Sequence, residues 1–243
     1  MNFASWKKDK IVYSLIIAYI VIFIFLLLYK YFSFQLDWSY DLGVQNQILW
    51  KLANEGSFRS TIYLSYPPRW IILFFILPAY LLYQSPVTLL ILKAILFGAA
   101  AVPLYRLSKL LKLAPPYQYL VVFSYLFNIG VIRTLLNDFF PDSLALPLLI
   151  FSFYFMYTRR TMHFLLFSFL ALSCRAEIYG IYIAIFATWF IIKDRSNIRF
   201  AMLAFIILVM FSLLNPYILQ DASHKRLYFT NTIKEILLPG SLD

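Results

Sequence analysis

The chain has 243 residues, 63% of them hydrophobic and only 13% charged, and its mean hydropathy is +0.78. Ordinary soluble domains carry about 25% charge and 45–50% apolar residues, so a soluble globular protein, a disordered chain and a coiled coil are excluded. The net charge of +10 does not call for a nucleic-acid partner, because a multi-pass membrane protein gathers Lys and Arg on its cytoplasmic loops. The single cysteine, Cys174, excludes an internal disulfide and a Cys-based metal site, and His163 and His224 alone cannot build a His-rich centre.

The first apolar run, Ile11 to Phe32, is long enough to span a bilayer. It follows Lys7, Lys8 and Lys10 and lacks the short core and small-residue cleavage site of a signal peptide, so it reads as a retained span. The segment from Ser33 to Pro86 is mixed. Within it, Asp41 to Asn54 reads as a short amphipathic helix, with Asp41 as N-cap and Gly56 just past its end. Trp70 to Tyr83 is apolar but short, which suits an interfacial or re-entrant segment. Val87–Tyr105, Tyr117–Leu136 and Leu144–Tyr157 read as spans. Thr161 to Ile192 would be roughly 48 Å long as one helix, too long for a hydrocarbon core of about 30 Å. Arg175-Ala176-Glu177 breaks it into two short spans, and Phe200 to Leu214 is the last one. The expected fold is therefore an all-α polytopic membrane protein of about seven transmembrane helices. Residues 1–217 form a transmembrane module with a long external loop at 33–86, and residues 218–243 form a polar tail.

Charge decides whether Trp70–Tyr83 crosses. If it does not, the N-terminus lies inside, 11 of the 21 basic residues cluster on inner loops, and nine of the 11 acids fall outside. If it does, Arg106, Lys109 and Lys112 move outside, against the positive-inside rule. The first arrangement is adopted. It sends Asp41, Asp138, Asp142 and Glu177 to one external face.

Acids at the edge of a membrane core are costly, and their default reading is functional. Asp41 has a cap role and a site role, and the two are compatible. Asp138 and Asp142 flank Phe139-Phe140-Pro141. Asp138 reads as a cap for the span that follows, and a helical turn covering both acids would place them on one face. Arg175 and Glu177 read either as an ion pair bracing two short helices or as a lipid-phosphate contact and a polar group at the active face. Arg133 and Arg69 read either as snorkelling side chains or as anion contacts. Arg69, Arg133, Asp142, Arg175 and Glu177 thus form the candidate substrate and lipid-phosphate set.

Tyr40-Asp41-Leu42-Gly43 with Gln47 and Trp50, Pro86 with Leu89-Leu90, Ala99 to Tyr105, Asp138-Phe139-Phe140-Pro141-Asp142 and Pro147 together resemble the GT-C superfamily of membrane glycosyltransferases. More closely, the chain resembles an uncharacterised family of predicted prokaryotic membrane proteins related to them, over about residues 33–195. The resemblance implies an inverting sugar transfer from a polyprenyl-phosphate donor on the external face. It implies Asp41 as general base or metal-side ligand. It implies Asp138 as the second catalytic acid, positioning the acceptor or a divalent ion, Mg²⁺ or Mn²⁺. Implied partners are membrane lipids, the polyprenyl-phosphate sugar and further membrane subunits. The resembling families carry histidines where this chain has Tyr66 and Phe140, and neither aromatic does the work of imidazole near neutral pH. Two other readings therefore stand beside an enzyme: an accessory subunit that keeps the fold without the chemistry, and a lipid or small-solute transporter. Against the transporter, no inverted repeat is visible, and transporters place polar groups at the midplane between repeats.

Overall fold

The computed structural model describes residues 3–36, 40–56, 69 and 71–174, with positions 188, 202 and 206. The readings placed on Tyr66, Arg175, Glu177, the later spans and the tail lie outside the described residues. The regular structure among the described residues is all helical, with no strand among them. In chain order they form α1 (Phe3–Phe32), α2 (Tyr40–Glu55), a π-helical turn (Ile72–Ile76), α3 (Leu77–Tyr80), α4 (Pro86–Ala99) and α5 (Ala101–Leu110). Then come α6 (Pro115–Leu126), α7 (Ile129–Leu136), a 3₁₀ turn (Pro141–Leu144), α8 (Ala145–Tyr157) and α9 (Thr161–Cys174).

Among the described residues, three stretches are long and apolar enough to cross a membrane: Asp9–Phe32, Pro86–Leu110 and Pro115–Leu136. The described part is thus an all-helical, membrane-type structure. α8 and α9 are apolar but shorter. Among the described residues of the Trp70–Tyr83 segment, 71–83, the helical part is the π-helical turn and α3, too short a rod to reach across a bilayer.

Two of the long stretches are broken, which the apolar pattern alone does not foretell. Pro103 has no N–H to give the Ala99 carbonyl, and α4 ends at Ala99. Pro115–Leu136 is interrupted at Phe127 and Asn128. The Asn128 side chain accepts from the Gly130 and Val131 amides at 2.9 and 3.3 Å, restarting the chain as α7. Pro78 has the same effect near the π-helical turn, where its missing N–H favours the wider ring.

The legs alternate in direction. At one end, Asp9 of α1 meets Lys109 of α5 at 2.8 Å and accepts from the Tyr105 hydroxyl at 2.6 Å. Arg106 there interacts with Tyr13 and Tyr154. At the other end, Lys30 of α1 donates to the Leu136 carbonyl at the close of α7, 3.2 Å away. Positive φ at Lys112 and Arg159 reverses the chain after α5 and α8, as left-handed residues past a helix end do. α8 and α9 are held by stacked Phe151 and Phe167 and by a buried Ser152–Ser168 hydroxyl bond of 2.7 Å.

α1 buries Val12, Ile16, Tyr19, Phe23 and Leu27 and exposes Ile17, Val21 and Phe25. The buried row has helical spacing. It lies on α4, where Gly98 lets the two backbones approach. A β-carbon at Gly98 would overlap the Ile20 side chain, lying 2.9 Å from its Cδ1. Gly98→Ala is expected to destabilise the fold by about 1–3 kcal/mol, read as a lower melting temperature in detergent. Adding Ile20→Ala should recover part of that loss. An undiminished melt for Gly98→Ala alone would contradict this helix contact.

Candidate functional site

α2 forms because Leu42, Val44, Ile48 and Leu49 supply a buried face, and Gly56, at φ +65°, releases the chain after Glu55. Its start is less ordinary. Asp41 is not the N-cap; it lies inside the first turn, which begins at Tyr40. The cap comes from Asp138, 97 residues later. Asp138 Oδ2 accepts from the Asp41 amide at 3.0 Å, and both oxygens accept from the Leu42 amide at 3.2 Å. Its Oδ1 also accepts from the Phe139 amide at 2.8 Å. A carboxylate here satisfies orphan N–H groups and faces the positive end of the helix dipole. The expectation that Asp138 caps the following span is therefore corrected, since the 3₁₀ turn at Pro141 has no side-chain cap.

Asp138 is buried, with 4% of its surface exposed, so its charge needs more than amides. Lys93 supplies a cation. Its side chain is wholly buried, and Nζ donates to the Asn137 and Asp138 carbonyls at 3.1 and 3.0 Å. With Lys30 on the Leu136 carbonyl, two ammonium groups satisfy three successive carbonyls at the close of α7. Cations suit that negative helix end. The loop 136–139 is thereby fixed by its backbone to α1 and α4, and by its carboxylate to α2.

Asp41 and Asp138 thus share one place, in different states. The Asp138 oxygens are taken up by amides. The Asp41 carboxylate is partly exposed, and no described residue hydrogen-bonds to it. Its pKa is raised, first by burial and then by the neighbouring Asp138 carboxylate.

The other candidates divide. Asp142 does not share a helical face with Asp138, because residues 138–140 are not helical and the turn that begins at Pro141 is 3₁₀. It instead pairs with Arg69, whose Nε lies 3.3 Å from Oδ1. That pair ties the segment before the π-helical turn to the start of α8. Arg133 is exposed on α7, with no described contact joining it to the two acids. Arg175 and Glu177 lie outside the described residues.

A carboxylate offers about four acceptor positions, and three backbone amides already engage both Asp138 oxygens, the Leu42 amide shared between them, which suits a helix cap better than a divalent-ion ligand. No group of three or more His, Cys, Asp or Glu side chains gathers among the described residues.

Lys93 and Lys30 are not among the candidates drawn from the sequence, although a lysine within or at the end of an apolar span is itself a signal. Gln45, buried on α2, gave no signal in the sequence, since a glutamine on an amphipathic helix is ordinary.

Compared with known proteins, residues 30–238 match the family described as "Predicted membrane protein (DUF2079)". No curated protein and no solved structure matches the chain.

Removing one partner of a buried charged assembly costs about 3–5 kcal/mol, so Lys93→Met is expected to lower the detergent melting temperature sharply. Asp138→Asn should cost less, because the amide oxygen still accepts. The double variant should lose less than the two single losses added, by about 1 kcal/mol. Strict additivity would show that the ammonium and the carboxylate do not act together.

Proposed function

This chain belongs to the family of predicted membrane proteins DUF2079, and from that premise we propose that it is a glycosyltransferase-like protein. It moves a sugar from a polyprenyl-phosphate donor to an acceptor on the external face of the cell membrane. The observation that carries the reading is the division of labour between two acids. Asp138 is spent on holding α2, and Asp41, displayed by that helix, keeps a carboxylate with no hydrogen-bond partner among the described residues and a raised pKa. A base with that shift lies closer to neutral operating conditions than an ordinary aspartate does.

In the proposed step, Asp41 takes the proton of the acceptor hydroxyl. The acceptor oxygen forms a bond to the sugar C1, and the C1–oxygen bond to the phosphate breaks. The polyprenyl phosphate leaves with the bonding electrons, and the configuration at C1 inverts. Asp138 is a positioning residue in this scheme. The candidate cations for the donor phosphate are Arg69, Arg133 and Arg175, with Arg69 exchanging Asp142 for the phosphate. Because both Asp138 oxygens are already engaged by amides, Mg²⁺ or Mn²⁺ would have Asp41 as its protein carboxylate there, and the proposed step does not run through it. The proposed topology has seven spans and a cytoplasmic N-terminus. The segregation of Lys109, Arg106 and Arg159-Arg160 from Asp41, Asp138 and Asp142 supports that orientation.

The second reading is a subunit that keeps the fold without chemistry. Phe140 favours it, standing exposed beside Asp138 where the resembling families carry a histidine.

A carboxyl whose folded pKa is raised favours folding while protonated, and that contribution is lost as pH climbs through the folded value. Near pH 7 the charge of Asp41 is thus a cost to the fold. Asp41→Asn is expected to melt no lower than wild type there, and to lose any advantage in acid. The same variant should lower transfer from a polyprenyl-phosphate sugar about 10²–10⁴-fold. Equal transfer by wild type and Asp41→Asn would refute the base assignment. No transfer by wild type, with the protein recovered in a stable membrane complex, would favour the subunit.

A further inference from the structure

Among the described residues, seven buried side chains are polar or charged: Gln45, Lys93, Ser108, Asp138, Ser152, Ser168 and Ser173. Lys93 and Asp138 are bonded as described above. Ser152 and Ser168 bond each other, and Ser108 and Ser173 donate to carbonyls one turn back. Gln45 alone has nothing. Its surface is wholly buried, and neither Oε1 nor Nε2 has a hydrogen-bond partner.

Leaving a buried polar group unsatisfied costs about 1–3 kcal/mol, and a primary amide has both an acceptor and two donor hydrogens to satisfy. A leucine would fill the same position on α2 without that cost. The neighbouring polar residue shows the usual solution: Asn46 Oδ1 accepts from the Tyr80 hydroxyl at 2.8 Å. The other buried orphan, the Tyr19 hydroxyl, belongs to α1 and interacts electrostatically with the Tyr125 phenol. Gln45 has a different setting. It follows Asp41 by four residues, so the unpaired amide and the unpaired carboxylate stand one above the other on one helix face. Their separation, about 5–6 Å between β-carbons, matches one hexose ring.

We propose that Gln45 is a specificity-determining residue for the sugar of the donor, its amide pairing with adjacent hydroxyls of the hexose whose C1 reacts beside Asp41. A vicinal diol supplies one donor and one acceptor, the complement of an amide edge. The inference rests on the glycosyltransferase reading and goes beyond it, by naming the group that recognises the sugar rather than the lipid phosphate.

The test uses the full chain in detergent, with two probes: undecaprenyl phosphate, and undecaprenyl phosphate carrying one hexose. Thermal stabilisation is titrated for wild type, Gln45→Leu and Gln45→Met. In wild type the sugar-bearing lipid is expected to bind more tightly than the bare lipid phosphate. Both variants should melt, without lipid, at or above the wild-type temperature, because an orphan amide has gone. Both should bind the bare lipid phosphate as wild type does, and bind the sugar-bearing lipid about 10- to 100-fold more weakly.

Unchanged affinity of the variants for the sugar-bearing lipid overturns the proposal while leaving the donor reading intact. So does a variant that melts lower than wild type without lipid, since the amide then has partners in the protein itself. Equal weakening toward both lipids also overturns it, because the residue would then serve the lipid site generally. Wild type that binds neither probe overturns the donor reading and this inference together.

Discussion

The Asp138 carboxylate receives amides from the first turn of α2 and from its own successor, Phe139. The backbone on either side of it is held by Lys30 and Lys93. This is one anion set between the N-terminus of one helix and two ammonium groups. Each part alone would be unfavourable in an apolar protein. A buried carboxylate without donors would protonate, a buried ammonium would lose its hydration, and α2 would begin with open amides. Together they satisfy one another, and α2 acquires a fixed attachment to α1, α4 and α7.

The attachment explains why a short polar helix stays in place above an apolar bundle. α2 buries a modest face and packs on α3 and α4. Its orientation is set by its capped end rather than by apolar area. The Asn46–Tyr80 bond gives it a second point of contact. Asp41 sits in the capped turn, so the same bonds that fix the helix fix where its carboxylate lies. The raised pKa follows from that placement: partial burial disfavours the charge, and the neighbouring Asp138 adds a like charge.

Much of this is legible in the sequence, and the illegible part has a physical cause. The helix at 41–54, its glycine stop and the long apolar legs follow from local rules of capping, length and hydropathy. The partner of each acid does not. Asp138 looks like a local cap because capping rules act over a few residues, whereas here the capped helix lies 97 residues upstream. Asp142 looks like its companion at helical spacing, but the Pro141 turn is 3₁₀ and Asp142 turns to Arg69. The breaks at Ala100 and Phe127 were hidden by continuous apolar runs, although Pro103 and Asn128 carry the reason for each.

Asp138 supplies the cap of α2, and amide hydrogen exchange tests this most directly, comparing wild type with Asp138→Ala in the same detergent. The prediction is that a peptide covering residues 40–45 exchanges slowly in wild type and at least about tenfold faster in the variant, as a lost bond of about 1.4 kcal/mol or more requires. Peptides from α8 and α9 should be unchanged. Equal exchange across residues 40–45 in the two proteins would contradict the account.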